Sequence, residues 1–204
     1  MRATFVVVLL AASGARAVAD DRAPVLDVEG AFGVVVPNGQ SSVEWPMPDP
    51  APLGIARAMV SWEQPPVAMP VERGTADWSA GVGPELAVGF MGNDRRGDAF
   101  AQAGLRLNVG FAQNSMGLLQ ISAKGGLWLA ARAGVVGGEH NTMLEGDLGW
   151  YLWLGNTGWR VGWEMGGFGV RNPTSNGLAM PLYSDSTQDV TGVVHFAVFV
   201  GSQL

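Results

Sequence analysis

From Asp98 to Phe111 the chain alternates in steps of two. Ala99, Ala101, Ala103, Leu105, Leu107, Val109 and Phe111 hold the odd positions, while Gln102, Arg106 and Asn108 are among the even ones. That period places unlike side chains on the two faces of a strand. The same alternation recurs over Pro24 to Val36, Asp77 to Met91, Gly117 to Val135, Thr142 to Leu154, Gly158 to Arg171 and Val190 to Leu204. An eighth segment, Gly54 to Trp62, is weaker. Ala56, Ala58, Val60 and Trp62 oppose Arg57 and Ser61, but Ile55, Met59 and Trp62 also fit helical spacing. It is taken as a strand, with a short helix as the alternative, because bacterial single-chain barrels have even strand numbers.

The charges constrain the fold further. Within these segments Asp27, Glu29, Arg57, Asp77, Glu85, Asp98, Arg106, Lys124, Arg132, Glu145, Asp147, Arg160 and Glu164 all take the parity opposite the apolar residues. Only 15% of the chain is charged, a single lysine is present, and 30 glycines and eight tryptophans accompany 48% hydrophobic residues. So few charges cannot coat an ordinary water-facing surface, for which about 25% is usual. Both signs share one face, so they can pair inside a narrow lumen.

The chain opens like an exported precursor. Arg2 gives a short positive region, Phe5 to Ala12 an apolar one, and Ala15-Arg16-Ala17 and Ala17-Val18-Ala19 are two cleavage motifs. Cleavage after Ala19 is favoured, making residues 1–19 a signal peptide and residues 20–204 one barrel domain. The apolar run is too short for a spanning helix, which needs about 20 residues. The absence of cysteine excludes disulfides, thiolate metal sites and cysteine nucleophiles. The acidic composition, with a net charge of −6, argues against nucleic acid.

With a periplasmic N-terminus, Trp62, Trp78, Phe111, Trp150 and Trp159 gather near one boundary, as an interfacial aromatic girdle would. The last strand carries Phe196, Val198, Val200 and Leu204 in alternation, with Leu204 where outer-membrane barrels usually end in an aromatic. By architecture the chain resembles the small eight-stranded outer-membrane barrels, such as the OmpA-type transmembrane domain. The resemblance implies an all-β, eight-stranded antiparallel up-and-down transmembrane barrel in a bacterial outer membrane, contacting membrane lipid. It implies little about activity.

An eight-stranded barrel is just wide enough for its own side chains. Glu29, Arg57, Glu85, Arg106, Lys124, Arg132, Glu145, Asp147, Arg160 and Glu164 are expected to pair there as a lumen charge network. No catalytic, cofactor or metal residues are assigned. Lipid-modifying barrel enzymes need a serine with an adjacent base, and His195 has no matching serine. His140 beside Glu139 is short of the three or four ligands a metal needs. Gly162 to Gly169 lacks the lysine and helix of a phosphate loop. The expected role is structural, adhesive or surface-interacting, through outer loops 37–53 and 172–188. The alternative is a soluble periplasmic or secreted lipocalin-like barrel that binds a small apolar ligand. A lipid-modifying barrel enzyme comes behind both. Two further expectations concern local structure: a bulge beside Gly83 to absorb Pro84, and an unusually long turn over Glu63 to Ala76.

Overall fold

A computed structural model describes residues 24–38, 50–63, 66–71, 74–92, 97–113, 123–137, 141–155, 157–171 and 192–204. The proposed signal peptide, His140, and most of outer loops 37–53 and 172–188 lie outside the described residues. The strands are β1 (Val25–Asn38), β2 (Ala51–Glu63), β3 (Val67–Val71), β4 (Gly74–Gly92), β5 (Gly97–Gln113), β6 (Ala123–Val136), β7 (Asn141–Trp153), β8 (Trp159–Arg171) and β9 (Gly192–Gln203). Each barrel strand pairs antiparallel with its sequence neighbour, β1 pairs with β9, and β2 pairs with β4 past the short β3. The result is a closed up-and-down barrel of eight strands, and the segment 54–62 is part of a strand.

The ladders keep one register throughout. From Asp27 the pairs run through Met59, Glu85, Gly104, Arg132, Glu145, Phe168 and Val193 to Pro37, ten residues further along β1. With strands about 4.7 Å apart and rising about 3.3 Å per residue, this stagger gives a tilt of about 40° and a backbone radius of about 8 Å.

Two local expectations are corrected. No bulge forms at Gly83. The β4–β5 ladder runs unbroken through Pro84↔Leu105, and the β2–β4 ladder skips from Met59↔Glu85 to Trp62↔Val82 in the same register. A proline removes one donor without shifting a strand held firmly on its other side. The stretch from Glu63 to Ala76 contains β3, which pairs with the start of β4 as a small hairpin arm. In β6 the expected residues 117–122 lie outside the described residues.

The barrel carries its polarity inside out. Leu86, Leu129, Leu144 and Val198 are 63, 55, 68 and 64% exposed on the outer wall. Arg57, Glu85, Arg106, Arg132, Asp147, Glu164 and His195 are buried in the lumen. The lumen is layered. Val35, Leu53, Met91, Phe100, Met143 and Phe168 form an apolar layer at the end where β1 joins β2. The charged layer lies mid-barrel. At the end holding the strand termini, Glu63, Asp77, Lys124, Tyr151 and Trp153 line a vestibule of about 330 Å³.

Inward glycines make room for the large lumen side chains. A Cβ on Gly149 would lie 2.0 Å from the Trp128 ring, and one on Gly162 would lie 2.5 Å from Phe199. Gly149→Val is therefore expected to cost about 1–3 kcal/mol by overpacking. Gly146, also on β7 but with open space at its Cβ position, tolerates alanine far better. Urea unfolding of the two variants checks the contrast.

Candidate functional site: the ion network of the lumen

Period-two alternation directs Asp27 and Glu29 (β1), Arg57 (β2), Glu85 (β4), Arg106 (β5), Arg132 (β6), Glu145 and Asp147 (β7), Arg160 and Glu164 (β8) and His195 (β9) into one layer. The two terminal guanidinium nitrogens of Arg57 donate to the two oxygens of Glu164, at 2.5 Å each. Arg106 donates to both oxygens of Glu29, at 2.8 and 2.7 Å, and to Glu85 Oε1 at 2.5 Å. Arg132 Nε donates to Glu85 Oε2 at 2.8 Å, and its terminal nitrogen donates to Asp147 and faces Glu145 Oε2 at 3.2 Å. Arg160 donates to Glu29 Oε1 at 2.6 Å and faces Asp27 at 3.3 Å.

Most of these pairs join strands that are not hydrogen-bonded neighbours: β2 to β8, β5 to β1, β6 to β4. They brace the barrel across its axis, a task the ladders cannot perform. Two-point guanidinium–carboxylate geometry makes each brace directional. Trp128 stands among the arginines, with the guanidinium carbon of Arg106 4.1 Å from its ring centre and those of Arg57 and Arg132 at 5.6 and 5.9 Å. An aromatic face opposite several desolvated cations adds attraction without adding a charge.

Nine of the ten residues expected in the network meet in this layer. Lys124 does not. It stands at the vestibule, exposed, with its ammonium 4.4 Å from the Trp153 ring centre. Three residues belong to the layer beyond those ten: Asp27, Trp128 and His195. All three have inward parity in the sequence, and the parity itself was the available signal. The aromatics of the expected girdle lie on the outer wall toward the termini. Trp78 and Phe111 are register partners with ring centres 6.0 Å apart, and Trp150 pairs with Trp163 at 6.4 Å. Trp159 is half exposed at the start of β8, and Trp62 is partly buried near the end of β2.

No family model, curated protein or solved structure matches this chain. The functional reading therefore rests on the geometry.

The layer is charge-asymmetric. Six carboxylates (Asp27, Glu29, Glu85, Glu145, Asp147, Glu164) share the lumen with four guanidiniums (Arg57, Arg106, Arg132, Arg160). Both oxygens of Asp27 lack a hydrogen-bond partner, and so do Glu145 Oε1 and Oε2, Asp147 Oδ1 and both ring nitrogens of His195.

Proposed function

We propose that this protein is a transmembrane β-barrel of a bacterial outer membrane with a structural or adhesive role. Its lumen is filled by side chains, and outer loops 37–53 and 172–188 supply the surface for interaction. The carrying observation is the outer wall. Large apolar side chains cover it around the barrel, whereas soluble monomers rarely expose contiguous apolar patches beyond a few hundred Å². Lipid is the solvent that makes such a wall favourable.

Further features support the reading. The barrel strands have 12 to 19 residues, and about 9–11 tilted residues cross a bilayer. Closure pairs each of the eight barrel strands on both sides, as a non-helical span requires. No helix among the described residues is long and apolar enough to cross a membrane. A lipocalin-like carrier needs an apolar interior, and here the middle of the lumen is ionic. The braces also leave little room for a conducting path, so the role falls to the barrel as a platform for its loops.

Single cysteines replacing Leu107 and Leu129, each carrying a spin label, test the reading in vesicles. Both labels are expected to collide with oxygen far more than with a water-soluble nickel complex. Equal access by the nickel complex at both positions would place the wall in water and overturn the proposal.

A further inference from the structure

Glu145 Oε1, Asp147 Oδ1 and the ring of His195 lie together in the lumen without hydrogen-bond partners. His195 is fully buried. Its Nε2 lies 3.4 Å from Asp147 Oδ1 and 3.8 Å from Glu164 Oε1, and its Nδ1 lies 3.7 Å from Glu145 Oε1. One donor atom each from Glu145, Asp147 and His195 can be chosen with all three within 4.8 Å of one another. Donors that share a tetrahedral ion at about 2.1 Å sit about 3.4 Å apart. The donors stand at or somewhat beyond that spacing, so small side-chain movements would bring them onto one ion, with Glu164 at the edge.

Leaving such atoms buried without partners is costly, and Arg132 faces Glu145 through Oε2, leaving Oε1 toward His195. A dication would give Glu145 Oε1 and a ring nitrogen of His195 a common partner and offset carboxylate charge on this side of the lumen. Register and space agree with this. Asp147 and His195 are both partners of Gly166, on either side of β8. A Cβ at Gly166 would meet Asp147 Oδ1 at 1.8 Å, so glycine is what lets that carboxylate lie inward toward the imidazole.

We propose that Glu145, Asp147 and His195 form a binding site for a first-row transition-metal dication, with zinc as the probe. An imidazole with carboxylates suits zinc and its neighbours, whereas calcium takes six to eight oxygens and magnesium keeps its waters. The ring nitrogen not on the metal would donate to a neighbouring carboxylate, the usual arrangement around a ligating histidine. Phe168, of the apolar layer, lies beside His195 with ring centres 6.0 Å apart, and His195 is fully buried, so the ion enters while the barrel folds. This inference stands whether the barrel resides in lipid or in water.

The full mature chain is refolded with zinc sulfate, washed with EDTA and assayed for bound metal. His140→Ala controls for the other histidine. Wild type and His140→Ala are expected to retain one zinc per chain and to unfold at higher urea than protein refolded without metal. His195→Gln is expected to lose at least ten-fold of the retained zinc and the urea shift. Because His195→Gln can fail to fold, zinc-edge X-ray absorption of the wild type supplies the second readout. One nitrogen and two or three oxygens at about 2.0–2.2 Å are expected. No retained zinc in the folded wild type, retention unchanged in folded His195→Gln, or an oxygen-only shell would overturn the site.

Discussion

Replacing Arg106 by Met is expected to cost about 3–5 kcal/mol, because removal of one partner leaves buried charge uncompensated. Arg106 is the hub of the layer. It holds Glu29 with two hydrogen bonds and Glu85 with a third, and it stacks on Trp128. After its loss Glu29 keeps only Arg160 and a distant Arg57, while Glu85 keeps only Arg132. Methionine preserves most of the volume, so the loss reports the charge rather than a cavity. Lys124→Met removes an equal charge from the exposed vestibule rim and is expected to stay within about 0.5 kcal/mol of wild type, as surface changes do. Urea titration of refolding into vesicles, followed by tryptophan fluorescence, measures both. Equal effects would mean that the lumen is hydrated and the pairs are screened.

The second large effect concerns the outer wall. Leu129 lies mid-strand on β6, 55% exposed, opposite Leu107 on one side and Leu148 on the other. If the wall faces lipid, Leu129→Arg places a guanidinium near the bilayer midplane, at a cost of about 2–4 kcal/mol. The same change near an interface costs about 0–1 kcal/mol, so Leu152→Arg, close to the termini end of β7, is the depth control. In water, neither substitution would destabilise an exposed wall position. A depth-dependent loss therefore separates a lipid-facing wall from a solvent-facing one, and folding yield into vesicles reads it directly.

The legible part of the fold follows the alternation. β5, β7 and β8 differ from the reading of the sequence by two residues or fewer at either end, since their charged residues from Asp98 to Glu164 all keep the parity opposite Leu107, Leu148 and Trp163. β3 was invisible for a physical reason. Val67-Ala68-Met69-Pro70-Val71 is short and carries a proline, which argues against a strand flanked on both sides. It forms because it pairs with β4 alone, leaving Pro70 free of any second ladder. Pro84 misled for a related reason, since β5 on one side suffices to hold the register that a bulge was expected to break.

The candidate site was legible as a set and illegible as a network. Parity sends each charged residue inward, but which carboxylate meets which guanidinium depends on the ten-residue stagger, a property of all eight ladders together. Arg57 therefore reaches Glu164 on β8 and only approaches its register partner Glu29, at 3.9 Å. The same stagger leaves Lys124 at the rim, one layer from the network that its parity suggested. His195 was read as an inward residue without a serine. Asp147 and Glu145 lie 48 and 50 positions earlier in the chain, on a strand that is not its ladder partner.

The central claim is a closed barrel inserted in an outer membrane. Its most direct test is to express the full precursor in a Gram-negative host, isolate the outer membrane and run it on SDS gels with and without boiling. A barrel braced this way is expected in the membrane fraction, compact and fast-migrating until heated, then shifting to the position of the unfolded chain. Recovery in the soluble periplasmic extract with no heat-dependent shift would contradict the account.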